Sequence, residues 1–233
     1  VDARPEVLSL LTHNFPNCKF IATEIQTPIS ESFDYWTGIM SLPFHFQSSV
    51  NNVPFVQGYI SAPEEQSRYW SERLSLEQHG SKLNVGLAWS GNPAHRADKR
   101  RSMSFETVCK LLRRFPDVRF FSLQTQVPSV CPSSLIDISD EFLTVADTAA
   151  VIDKMDLIIS VDTSAIHLAG SLGKPAWLLL PYRYEWRWGL EGESNAWYES
   201  VRVWRQESAG AWAELLNSVS LELQALVNEK SGV

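Results

Sequence analysis

The sequence predicts an α/β protein whose larger part is a Rossmann-like, doubly wound parallel sheet. Three observations carry this. Four short apolar runs are continuous rather than alternating: Val85-Gly86-Leu87-Ala88-Trp89, Val118 to Leu123, Leu157 to Val161 and Ala176 to Leu180. Continuous runs suit parallel strands covered on both faces. Helical segments lie between them, at Ser104 to Arg114, Thr148 to Met155 and Thr163 to Leu172. Strand and helix in alternation give a parallel sheet with helices on both sides.

The remaining elements follow in order. The chain opens on Val1-Asp2-Ala3-Arg4-Pro5-Glu6, which reads as the end of a strand running into a helix with proline in its first turn. This opening suggests a start in mid-domain. A helix is expected over Pro5 to Leu11, a strand over Lys19 to Thr23 and a strand-like run over Gly38 to Leu42, with Gln47 to Asn52 as loop. Glu64 to Gln78 reads as a charged helix anchored by Tyr69, Leu74 and Leu76, and a last amphipathic helix runs from about Ala211 to Val227. The expected division is a smaller, partial N-terminal α/β lobe over 1–62, a linker helix over 63–80 and a Rossmann-like lobe over 81–233.

Composition sets the limits. The chain has 233 residues, 44% hydrophobic and 20% charged, enough to bury a core. A formal charge of −7 disfavours nucleic-acid binding, so any anion site must be a local concentration of basic residues. Three scattered cysteines, Cys18, Cys109 and Cys131, fit a reducing compartment, and no zinc spacing occurs. No apolar run approaches the ~20 residues of a membrane span, and no signal peptide opens the chain. A cytoplasmic protein is expected.

The candidate site begins at Asp162-Thr163-Ser164-Ala165-Ile166-His167. A strand ends at Asp162 and a helix starts at once, its apolar stripe Ala165, Leu168, Ala169 and Leu172, closed by Gly173. A helix's first turn has unpaired N–H groups and partial positive charge, which a phosphate can use. Thr163 and Ser164 could add hydroxyl donors, and His167 lies one turn beyond Thr163 on the same face. The plain alternative is an ordinary capped helix with a core histidine.

The second feature is the loop Ser90 to Ser102, which concentrates His95, Arg96, Lys99, Arg100 and Arg101 after a strand's carboxyl end. Ser90, Gly91 and Asn92 suit close approach of backbone to an anion; a solvated surface loop is the alternative. Gln124, at a strand end, could face the same crevice, and Asp147 is expected as an N-cap with a lesser claim as a cleft residue. The aromatic run Tyr182 to Trp204 reads mainly as an irregular packed lid, with Arg187 as its best polar candidate. There is no GxGxxG after a strand, no GxxxxGK[ST] and no Asp-x-Asp pair. Ala169-Gly170-Ser171-Leu172-Gly173 imitates a nucleophile elbow, but its serine falls near a helix end, where the elbow's chemistry cannot operate.

Taken in order, these motifs resemble a known family. The series is Val85-Gly86-Leu87-Ala88-Trp89-Ser90-Gly91-Asn92-Pro93, Ser122-Leu123-Gln124, Asp147-Thr148-Ala149-Ala150, Ile159-Ser160-Val161-Asp162-Thr163-Ser164 to His167-Leu168-Ala169-Gly170, Gly173-Lys174-Pro175, Trp186-Arg187-Trp188 and Trp197-Tyr198. It resembles the glycosyltransferase-like domain that follows tetratricopeptide repeats in bacterial proteins, itself similar to the heptosyltransferases of glycosyltransferase family nine. The likeness covers residues 81 to 230, and more weakly 1 to 62 through Phe33-Asp34 and Ser41-Leu42-Pro43. It implies a GT-B architecture and metal-independent, inverting transfer from a nucleotide-diphosphate sugar, with no resident cofactor. The acceptor would be a saccharide, a lipid-linked glycan or a protein. It implies donor-diphosphate contacts at Ser90, Gly91, Asn92, Lys99, Arg101, Asp162, Thr163, Ser164 and His167, with Lys99 or Arg101 as the mobile charge, and Gln124, Asp147 and Arg187 as further cleft residues. Two departures stand out. Ser164 replaces the family's glycine, and the family's base lies in a stretch expected to precede Val1, so no catalytic base is assigned. A non-catalytic nucleotide- or protein-binding module, or a sugar-nucleotide epimerase, is the alternative.

Overall fold

The computed structural model describes residues 1–22, 32–54, 57–77 and 83–231. It opens with β1 (Asp2–Ala3), a 3-10 turn at Pro5–Val7 and α1 (Leu8–Asn14), followed by β2 (Ile21–Ala22), which pairs in parallel with β1. Thr23, the expected end of that second strand, lies outside the described residues, as do Gln78 to Lys82. The strand-like run Gly38 to Leu42 is not a strand. It forms a 3-10 turn at Ile39–Ser41 leading into α2 (Leu42–His45), because Pro43 falls in the helix's first turn, where its fixed φ fits and its missing N–H costs nothing.

The larger part is built as its apolar runs predict. After α3 (Glu64–Ser75) come β3 (Asn84–Ala88), α4 (Asp98–Arg101), α5 (Phe105–Leu112), β4 (Arg119–Ser122) and β5 (Leu135–Ile136). Next are α6 (Val145–Asp153), β6 (Leu157–Val161), α7 (Ser164–Ser171), β7 (Ala176–Leu180), β8 (Val201–Arg205) and α8 (Trp212–Ser231). The six strands β3 to β8 form one sheet, all parallel, in the order β5-β4-β3-β6-β7-β8. The chain moves outward from β3 to one edge, then returns to β6 and moves to the other.

Both faces of this sheet are covered. On one, Val85, Leu87, Phe120, Ile159, Val161 and Leu179 pack against Val108, Leu111 and Leu112 of α5 and Leu215, Leu216, Val219 and Leu223 of α8. On the other, Phe121, Ile158, Leu178, Leu180, Val201 and Val203 meet Trp70 and Leu74 of α3, Ala150, Val151 and Ile152 of α6, and Ala165, Ile166 and Ala169 of α7. Of the three anchors expected in α3, Leu74 is buried as expected and the other two need correction. Tyr69 and Leu76 are exposed, whereas Trp70 and Leu74 are fully buried. The helix therefore turns a different stripe inward, and its Trp70 indole donates to Asp147 at 3.2 Å.

Asp147 also needs correction. Helix α6 starts three residues before the expected Thr148, with Thr144 as N-cap and Asp147 as the third helical residue of a capping box. Asp147 Oδ2 accepts from Thr144 N at 2.8 Å, from the Thr144 hydroxyl at 2.9 Å and from Leu143 N at 3.2 Å. Such a box satisfies donors that the helix leaves open and contributes about 1 kcal/mol. Asp147 lines neither of the clefts described below; its carboxylate holds α6 to α3.

The segment after the N-terminal elements crosses the C-terminal end of α7. Tyr59 N and Ile60 N both donate to the Ser171 carbonyl, at 2.8 and 3.2 Å. A side chain at Gly58 would overlap the backbone of Leu172 and Gly173, so only glycine permits this approach. Asn14 of α1 clamps the same strap, accepting from Ser61 N at 2.7 Å and donating to Ser61 O at 2.9 Å.

Burial in α3 yields a direct comparison. Trp70→Ala is expected to cost about 3–5 kcal/mol in urea unfolding, the range for a large buried aromatic. Tyr69→Ala is expected to stay within ~0.5 kcal/mol.

Candidate functional site

Strand β3 ends at Ala88 beside β6, with Ala88 paired to Ser160. This is the point where the strand order reverses, and ligands of open α/β sheets bind at such crevices. The Ser90 loop and the Asp162 turn therefore emerge side by side. Two clefts open there and share Arg101, Thr163 and Ser164 as a common wall. One, about 280 Å³, is lined by His95, Arg100, Arg101, Asp162, Thr163, Ser164, His167, Arg183, Glu185 and Arg187. The other, about 700 Å³, is lined by Ala88, Ser90, Gly91, Asn92, Leu123, Gln124, Phe142, Val145 and Thr148 with the shared residues. Among the described residues, all these walls come from positions 88–187.

The first turn of α7 faces both clefts. Thr163 is its N-cap residue, yet no side chain caps the helix. Ser160 Oγ donates to the Val161 carbonyl at 2.7 Å, so its contact with Thr163 Oγ1 at 3.1 Å uses the threonine's proton. Thr163 is thus not the free hydroxyl donor expected from the sequence; its hydroxyl fixes the turn. Ser164 is exposed at the helix start. The helix presents uncapped backbone N–H groups and the positive end of its dipole to the clefts.

The Ser90 loop also departs from expectation. Its N–H groups do not form an open cradle. Gln124 Oε1 accepts from Trp89 N at 2.7 Å and Ser90 N at 2.8 Å, and its amide donates back to Ser90 O at 3.0 Å. Gly91 N donates to Ser102 Oγ at 3.0 Å, and Asn92 Oδ1 accepts from Ala94 N at 2.9 Å. These residues line the larger cleft but spend those polar groups on the loop itself. A Cβ at Gly91 would overlap the Arg101 guanidinium and come within 2.6 Å of the Asp98 carboxylate, so a side chain there would displace the ends of both.

Arg101 is held rather than mobile. Its Nε meets Asp98 Oδ1 at 3.2 Å and its Nη1 donates to the Asp162 carbonyl at 2.8 Å. One side chain thereby ties the loop after β3 to the turn after β6. Lys99 is exposed and lines neither cleft; Arg100, its neighbour, faces the smaller one. His95, Arg183 and Arg187 complete a basic rim, with Arg183 and Arg187 reaching it from the loop after β7. Arg187 Nε is buried and meets no acceptor.

Asp162 sits among these charges. Burial pushes its carboxyl pKa up, but His167, the Trp188 indole and the charge of Arg187 outweigh that, and it lies below the ordinary 3.8. The His167 contact is long, at 3.7 Å from Nε2 to Oδ1, and Trp188 Nε1 reaches no acceptor at full hydrogen-bond geometry. Both therefore act on Asp162 more through field than through short bonds. His167 stacks on Trp188 with ring centroids 5.2 Å apart, and its Nδ1 lies 3.1 Å from the Tyr198 hydroxyl. Sequence reading grouped Tyr198 with the aromatic lid and missed this contact, 31 positions from the histidine. Tyr198 in turn packs on Gly170, where any side chain would overlap its ring.

No family model matches the chain. Protein FlbA of Caulobacter vibrioides is 24% identical over 207 residues, which cover 83% of this chain and 33% of that protein. The chain thus spans about a third of that curated relative's length. Among solved structures, the E. coli ADP-heptose lps heptosyltransferase II superposes with a TM-score of 0.50 at 15% identity, covering 74% of this chain and 54% of the other. A glycosyl transferase family 9 structure from Veillonella parvula gives 0.52 at 15% identity, covering 74% and 55%.

The fold is heptosyltransferase-like. The six-stranded parallel sheet and its two helical layers are the architecture of these GT-B-like proteins. Among the described residues, no helix is long and apolar enough to cross a membrane, and no group of three His, Cys, Asp or Glu is placed to hold a metal ion.

The lowered Asp162 pKa has a thermodynamic consequence. A carboxyl more acidic when folded than when unfolded adds stability above its unfolded pKa and loses it as pH falls through the folded value. Asp162→Asn is expected to be less stable than the parent protein at pH 7. The gap should narrow as pH drops below about 4 and close once both states are protonated, as read from urea midpoints across that range.

Proposed function

We propose that this chain binds a nucleotide-diphosphate sugar at the shared wall of the two clefts and serves transfer of the sugar to an acceptor hydroxyl. The observation that carries the reading is the uncapped first turn of α7 facing a rim of His95, Arg100, Arg101, Arg183 and Arg187, in a chain of net charge −7. Even set against Asp162 and Glu185 in the same cleft, this local excess of donors and cations suits an anion. The diphosphate would lie against Ser164, Arg101 and His167. The larger cleft, walled by Leu123, Phe142, Val145 and the Gln124 amide, suits the nucleoside; the smaller, more polar one suits the sugar.

On this reading the protein's groups do the work that a metal does elsewhere. As the sugar–oxygen bond breaks, negative charge grows on the leaving diphosphate, and N–H groups and guanidinium groups already aimed there stabilise it. The heptosyltransferase-like fold supports the same donor class, since one of the similar structures is named as an ADP-heptose enzyme. No resident cofactor is needed. The acceptor hydroxyl must lose a proton to some base.

A second reading has its own support. Among the described residues, the walls of these two clefts come from positions 88–187, none from the N-terminal segment where an acceptor would be held. A module that binds the donor without transferring it fits that distribution.

A thermal-shift series with ADP-, UDP- and GDP-sugars tests binding. Ligand at about a hundred times its Kd should stabilise the native state by ~2.7 kcal/mol. Arg101→Gln combined with His167→Ala should weaken that affinity by at least about tenfold, through loss of one charged and one neutral donor. Unchanged affinity in this variant would remove the site assignment. Release of free sugar or glycosylated acceptor by the parent chain would separate transferase from module.

A further inference from the structure

We infer that Tyr198 fixes the tautomer of His167, so that the histidine presents Nε2–H to the cleft as a hydrogen-bond donor. The two ring nitrogens of a neutral histidine have opposite roles, and the partner of one sets the role of the other. Nε2 faces the Asp162 carboxylate at 3.7 Å, and an ionised carboxylate can only accept. A lone pair on Nε2 would point at negative charge; a proton there is drawn toward it. That leaves Nδ1 as the acceptor, 3.1 Å from the Tyr198 hydroxyl, which then must donate.

Tyr198 is built for this task. Burial, with Tyr59 nearby, pushes its pKa up to about 12, so its proton is present throughout the physiological range. Its ring is seated on Gly170 and cannot drift without losing that fit. The Trp188 face, stacked at 25° to the imidazole, opposes a flip of the ring that would put Cδ2 and Cε1 where Nδ1 and Nε2 now lie. Ser171 donates to the Tyr59 hydroxyl at 2.9 Å, which links this arrangement to the strap that crosses the end of α7. Tyr198 is thus a positioning residue that acts through His167.

The consequence for ligand choice rests on the nucleotide-diphosphate reading above; the tautomer itself does not. A donor fixed at Nε2 favours ligand oxygens that only accept, such as those of a diphosphate.

Nitrogen-15 NMR of the full chain tests both parts. Long-range proton–nitrogen spectra at about pH 8.5, above the ordinary imidazole range, show which nitrogen of each histidine is protonated, and His167→Gln identifies the relevant signals. The parent protein should show His167 protonated at Nε2. In Tyr198→Phe, which keeps the ring on Gly170, the two nitrogen shifts should converge as the tautomers mix. Protonation at Nδ1 in the parent protein overturns the proposal without any variant, as do identical His167 shifts in Tyr198→Phe. For donor sugars, Tyr198→Phe should weaken affinity by about 2–10-fold, the worth of one hydrogen bond. A changed tautomer with unchanged affinity overturns the link to ligand choice. If the parent binds no nucleotide-diphosphate sugar, the functional reading fails, and the tautomer spectra still decide the role of Tyr198.

Discussion

The pairing of β3 with β6 decides where everything else in the candidate site can be. These strands are 69 or more residues apart in the sequence, yet Leu87 lies opposite Ile159 and Ala88 opposite Ser160. Because both run in the same direction, both end at the same edge of the sheet, and the chain must leave them there as loop and helix. One loop carries the basic residues and the other leads into α7. Arg101 then fastens one to the other through the Asp162 carbonyl. Shifting this register by one residue would exchange the two faces of the strand, sending Val85 and Leu87 away from α5 and α8. The core therefore enforces the register, and the register enforces the cleft.

Asp162 is used twice, and the uses differ in kind. Its backbone oxygen holds Arg101, which keeps a guanidinium over the clefts. Its side chain remains ionised despite burial, because His167 and Arg187 stand near it. An anion in the smaller cleft would meet this carboxylate as well as the cations. On the proposed reading the basic rim must outweigh it, which would favour ligands that reach several donors at once. A diphosphate does so; a lone monoanion does so less well. Around this centre, Arg205 braces the loop after β7 by donating to the Trp188 carbonyl at 2.6 Å and to the Tyr184 hydroxyl at 3.1 Å.

Much of this was legible in the sequence, for identifiable reasons. Buried parallel strands need apolar residues at every position, so Leu157–Val161 and Ala176–Leu180 read with their observed limits. Strand β8, Val201-Arg202-Val203-Trp204-Arg205, lies at the sheet edge and alternates, and within a tryptophan-rich stretch that pattern reads as lid. The start of α6 was misplaced by three residues because Asp147 can serve either as N-cap or as the third residue of a capping box; the Thr144 that settles the matter carries no apolar signal. The helical run at Ile39–His45 looked extended because its apolar residues are consecutive, whereas Pro43 favours a first turn. At the site, residue types were readable and partners were not. Gln124 satisfies the start of the Ser90 loop from another strand, Ser102 and Asp98 close it from within, and Tyr198 reaches His167 only through the close approach that Gly170 allows.

The central claim is that an anionic ligand binds on the first turn of α7. Backbone amide spectra recorded while a nucleoside diphosphate is added test it most directly, because amides that receive a phosphate move most. The account expects the largest shifts at Ser164 and Ala165, with smaller ones at Arg101 and His167. Saturable shifts centred elsewhere, or none at Ser164 and Ala165 with the ligand bound, would contradict it.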